Sequence, residues 1–110
     1  MLPPQTMLDY LFGSSQRARL IRLLFSDPTG RIWLREILRR THMGFGALYY
    51  ELEHLERMRL IKRKREGAAI FVSVEQSHPL CLALLELLRT ADETPLPPNL
   101  KLKAPSRNRF

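Results

Sequence analysis

Between Phe45 and Val74 the apolar residues change their period, and this change constrains the fold more than any other feature of the chain. Leu48, Leu52 and Leu55 recur at the helical interval and predict a helix from about Phe45 to Met58. Gly46, Tyr50, Glu53 and Arg57 then fall on the opposite face. Ile61–Arg65 and Ala69–Val74 read instead as extended segments, with Ile70, Val72 and Val74 alternating. Glu66-Gly67-Ala68 lies between them, and Gly67 can supply the positive φ that a tight hairpin turn needs.

The residues before this unit predict three further helices. Thr6–Phe12 forms a short one, ended by Gly13. Ser14 or Ser15 caps a second that runs to about Phe25, with a stripe of Leu20, Leu23 and Leu24 and Ile21 at its margin. Asp27-Pro28-Thr29-Gly30 is a turn by composition. Ile32-Trp33 suits a very short strand, followed by a compact helix from about Leu34 to Arg40 and a break over Thr41–Gly44. After the hairpin, Pro79 suits the first turn of a last helix, capped by Ser77 or His78 and reaching about Ala91. The expected class is mainly α with a β component (α+β). A tri-helical core, a two-stranded β-hairpin wing and flanking N- and C-terminal helices make the winged helix-turn-helix plan. One domain is expected over residues 1–91, with its core over 14–75 and a helix over 79–91. Residues 92–110 hold four prolines without helical periodicity and read as a flexible basic tail.

The chain has 110 residues, a formal net charge of +7 and one cysteine. The charge points to a polyanionic partner, and the lone Cys81 excludes an intramolecular disulfide. The start of the chain has no basic segment leading into a long apolar run, and Leu80–Leu88 is too short to span a bilayer, so the expected location is cytoplasmic. Six cations, Arg57, Arg59, Lys62, Arg63, Lys64 and Arg65, follow one another without an intervening acid.

Four fragments in this order and spacing resemble the ArsR-type winged helix-turn-helix regulators over residues 11–91. They are LFGSSQRARLIRLLFSDP, LREILRR, GALYYELEHLERMRLIKRKREG and AIFVSVEQSHPL. The resemblance implies a symmetric homodimer, with the third core helix in the major groove of double-stranded DNA and the wing on the backbone beside it. Many members of that family place a small residue and Gly after the recognition helix, where this chain has Met58-Arg59. The metal-sensing members carry paired cysteines or clusters of His and acids, which are absent here. The resemblance therefore carries DNA binding without metal sensing.

Base-contact candidates are Gly46, Ala47, Tyr49, Tyr50 and Glu53. Tyr49 is equally suited to packing at the edge of the core, whereas Tyr50 lies opposite Leu48 and Leu52 and needs a partner to cover it. Glu53 can accept from cytosine N4 or pair with Arg57 four residues on. The six clustered cations are phosphate candidates, with Arg63 and Arg65 on one face of their strand and Lys62 and Lys64 on the other. Leu80, Cys81, Leu84, Leu85, Leu87 and Leu88 cover about half of the last helix, wider than the ~100° stripe that one core requires, and are dimer-interface candidates. Leu82 falls outside that arc.

His42, His54, His78 and Cys81 have no ligand spacing, so neither a metal nor another cofactor is expected. No nucleophile–base pair, Gly-rich phosphate loop or pair of carboxylates points to an enzyme. The expected function is sequence-specific binding of double-stranded DNA as a homodimeric transcription regulator, a repressor or autoregulator, on a palindromic operator. The alternatives are a winged-helix protein-interaction module and a non-specific nucleic-acid binder, RNA included.

Overall fold

A computed structural model describes residues 6–98. Residues 1–5 and most of the expected tail, 99–110, lie outside the described residues. The elements run α1 (Met7–Phe12), α2 (Ser15–Phe25), β1 (Arg31–Trp33), α3 (Leu34–Thr41), α4 (Phe45–Arg57), β2 (Ile61–Glu66), β3 (Ala69–Val74) and α5 (Pro79–Asp92). The class is mixed α+β.

Local chemistry sets the element ends. The Ser14 side chain accepts from the Arg17 amide at 3.1 Å and caps α2. At α5 the cap is His78, whose Nδ1 accepts from the Leu80 amide at 3.0 Å. Its other nitrogen, Nε2, then carries the proton and meets the Met58 carbonyl at 3.1 Å, tying the start of α5 to the end of α4. The α3–α4 break is shorter than expected, because Thr41 still belongs to α3 and only His42, Met43 and Gly44 intervene.

The sheet differs from the expected two-stranded hairpin. β1 pairs antiparallel with β3, placing Ile32 opposite Val72 and Trp33 opposite Phe71, so the strand order is β1-β3-β2. β1 satisfies what would otherwise be the free edge of β3, which is why three residues suffice for a strand. The hairpin register places Arg63 opposite Val72 and Arg65 opposite Ile70, and Gly67 takes φ 63° in the turn.

The core is one cluster. Leu20, Leu24 and Phe25 of α2 meet Ile37 of α3, Leu48 and Leu52 of α4, Ile61 of β2 and Val72 of β3. α1 contributes Leu8, and α5 contributes Cys81 and Leu88. Leu23, expected in the α2 stripe, is only half-buried, while Ile21 is buried. Ala18 and Phe25 also face inward, so the true stripe is rotated slightly from the expected one.

Among the described residues one polar side chain is buried with the core, Thr41. Its hydroxyl donates to the Ile37 carbonyl at 2.7 Å and accepts the Met43 amide at 3.3 Å. Its own carbonyl accepts from Arg19 Nε at 3.0 Å. The α3–α4 turn is thus held from inside and from α2. Thr41→Val keeps the shape but leaves the Met43 N–H without an acceptor, and the expected loss of stability is about 1–2 kcal/mol. Urea unfolding checks this, and a variant as stable as the parent would show that the hydroxyl is dispensable.

Candidate nucleic-acid interface

Burial of Leu48, Leu52 and Leu55 fixes the rotation of α4 about its axis. Gly46, Ala47, Tyr49, Tyr50 and Glu53 consequently lie exposed on its outer side. Tyr50 is 60% exposed, with its ring edge-on to His54 at 4.4 Å between centroids. Tyr49 is more enclosed. It stacks on Phe45 at 5.4 Å and carries the Arg63 guanidinium 4.8 Å from its centroid. Glu53 pairs with Arg57 at 3.6 Å, one of its two expected roles, and that exposed pair contributes little to stability.

Two ion pairs hold α4 in place. Arg17 of α2 reaches Glu51 through Nε at 3.1 Å and through its terminal nitrogen at 2.9 Å, a fork-shaped contact. From the other side, Arg63 of β2 donates from Nε to Glu56 at 2.9 Å. Each of these bonds makes its guanidinium hold its proton more tightly.

The second pair corrects the expectation for Arg63. Its side chain is only 18% exposed, lodged between Glu56 and the Tyr49 ring. Alternation puts Arg63 on the strand face that carries Ile61, and that face packs against α4. Arg63 therefore clamps the hairpin to the helix instead of standing free for phosphate. The other five cations of the cluster are exposed. Lys62 pairs with Glu75 at 2.8 Å and Lys64 lies 3.9 Å from Glu66. The latter carboxyl is held below the usual range, mainly by a hydrogen bond from Arg31. Arg59 and Arg65 have no ion pair among the described residues.

Of the five exposed cations, Arg57 thus ends α4, Arg59 marks the corner, and Lys62, Lys64 and Arg65 line the hairpin, Arg65 on the strand face of Arg63 and both lysines on the opposite face. The sequence reading missed two further aromatics at this edge. Phe45, 57% exposed, opens α4, and Trp33, half-exposed, precedes α3. Both line a groove with Leu38 and Ile70 beside the hairpin tip. Phe45 was legible as the residue four before Tyr49, on the same helical face.

The dimer-interface candidates divide. Cys81 and Leu88 are buried in the chain's own core, correcting their expected place at a second surface. Leu84, Leu85 and Leu87 are half-buried, and Leu80 is exposed. Leu82, outside the expected arc, is 71% exposed. Among the described residues no group of three or more His, Cys, Asp and Glu is placed to hold a metal ion, and no helix is long and apolar enough to cross a membrane. No protein-family model, curated protein or solved structure matches the chain at a significant level.

The corner between α4 and β2 is strained. The Leu60 amide bonds to the Leu55 carbonyl at 3.0 Å and the Arg59 amide to the Glu56 carbonyl at 2.9 Å, with Leu55 and Leu60 both buried. This is the Schellman arrangement, which requires a left-handed residue, usually Gly, just past the helix. Here that residue is Arg59, at φ 64°. A side chain in this conformation costs about 1 kcal/mol. Arg59→Gly is expected to raise stability by about that amount in chemical denaturation. An unchanged or lowered midpoint would show that the arginine side chain compensates the strain.

Proposed function

We propose that this chain is a winged helix-turn-helix regulator that binds double-stranded DNA in a sequence-specific manner as a homodimer. The observation that carries the reading is an exposed aromatic helix face with a cationic hairpin clamped directly to that helix. α4 presents Tyr50, Glu53, Gly46 and Ala47, while Lys62, Lys64 and Arg65 stand on the strand clamped to it by Arg63. A helix face of this kind fits the major groove, where base edges carry distinct patterns of donors and acceptors. Cations on a neighbouring hairpin suit the phosphates, which fix orientation without reading sequence. Small residues at the start of α4 let its free N–H groups approach the backbone closely.

Selection from a random duplex pool is the direct experiment, and an enriched inverted repeat is the expected result. Two recognition helices about one DNA turn apart, roughly 34 Å, would require that symmetry. Tyr50→Ala should then lower affinity for the selected site by about 1–3 kcal/mol while leaving random duplex almost unaffected. Replacing both Lys64 and Arg65 by Ala should weaken both duplexes alike and reduce the salt slope by about 0.9 for every phosphate that each subunit no longer neutralises. No enrichment, with single-stranded RNA bound as tightly as duplex, would overturn the reading.

Support for the dimer comes from exposed apolar side chains on α5 and α1, namely Leu80, Leu82 and Leu11. Leu80 and Leu82 contribute little to the core, so changing them should spare the fold. The double variant Leu80→Glu/Leu82→Glu is expected to sediment as a folded monomer with weakened operator binding. A variant that still sediments as a dimer would place the interface elsewhere.

A further inference from the structure

On the far side of α3 from the Trp33 groove, α2, the turn after it, β1 and the end of α3 enclose a cleft of about 820 Å³. That volume falls within the roughly 300–1,000 Å³ of small-molecule sites. Its floor is apolar, formed by Leu24, Ile32, Val72 and Val74. Its rim carries three guanidinium groups, Arg19, Arg22 and Arg40, against two carboxylates, Asp27 and Glu36. Arg31 also borders it, but its guanidinium lies 3.8 Å over the Phe71 ring, on the other face of the sheet from Ile32 and Val72.

The state of these charges decides what the cleft can hold. Both carboxylates are already engaged, Asp27 by the Thr29 hydroxyl at 2.8 Å and Glu36 by Arg39. Glu36 is therefore paired, while Asp27, bonded only by a neutral hydroxyl, keeps its charge at the turn end of the rim. Arg22 and Arg31 reach outward to Asp92 at 2.5 Å and Glu66 at 2.6 Å, acids that do not line the cleft and are well exposed. Arg40 has no ion pair among the described residues. Arg19 is fixed by its bond to the Thr41 carbonyl, which keeps that wall in place.

The geometry points to a binding site for a small organic anion, a carboxylate or phosphate ester carried on an apolar body of one or two rings. The apolar part lies on the Ile32–Val72 floor, and the anion meets Arg40, with Arg19 and Arg22 beside it. A bare inorganic anion would leave the floor uncovered, and a neutral ring would leave the rim unmatched. Combined apolar and ionic recognition is therefore the property that separates this site from a merely basic surface. The cleft ends at Arg40 and His42, the stretch leading into α4.

The test uses the free protein, so its outcome is independent of whether duplex DNA is bound. 1-Naphthyl phosphate, inorganic phosphate and 1-naphthol are titrated separately by calorimetry and by amide chemical shifts. The expected result is that 1-naphthyl phosphate binds at least tenfold more tightly than either of the others. Its shifts should centre on Gly30, Ile32 and Ser73. Arg40→Glu, at an exposed position, should weaken it at least fivefold without changing the unfolding midpoint. Three results would each overturn the site: inorganic phosphate or 1-naphthol binding equally well, shifts centred on Leu80 and Leu82, or an Arg40→Glu variant with unaltered affinity.

Discussion

Everything on the outer surface of α4 follows from the burial of its three leucines. Leu48, Leu52 and Leu55 lie against α2, α3 and the sheet, and each contributes about 1.5–3 kcal/mol by leaving water. Exposed or half-exposed ion pairs are worth about 1 kcal/mol or less. The leucines therefore decide that α4 docks and how it is rotated. The Arg17–Glu51 and Arg63–Glu56 pairs act on what remains free, the tilt and the sideways position of a helix already seated. They grip it from opposite neighbours, one in α2 and one in β2, which leaves little latitude for sliding.

The parts of the fold that were legible in the sequence are those governed by local rules. A helical interval of leucines, an alternating strand around Gly67 and a proline opening α5 each depend on residues close in sequence, and each element lies where those signals put it. The pairing of β1 with β3 was not legible, because it joins residues about forty positions apart and three residues carry little pattern. For Arg63, alternation correctly assigned a face but not the neighbour awaiting it, and Glu56 lies on another element. α5 posed a similar problem. Its apolar arc is wide, and composition alone does not tell which part meets the chain's own core, so Cys81 and Leu88 were assigned to the wrong surface.

The strained corner at Arg59 shows the same division. The buried Leu55 and Leu60 fix where α4 must end, and the hydrogen bonds of the last turn then demand a left-handed residue at a position that happens to be arginine. Packing overrides the preference of the single residue. The side chain is thereby projected outward between the helix and the hairpin, a direction that an ordinary helical or extended residue would not take.

Trp33 is both the last residue of β1 and the N-cap of α3, so no linker separates the sheet from that helix. Its ring meets Phe71 edge-on at 5.6 Å, which couples it to the central strand by side chain as well as by backbone. In mechanical terms the joint has no backlash. A push on the hairpin must turn α3 with it, as a handle turns a shaft, and the turn held by Thr41 passes that rotation on to the entrance of α4.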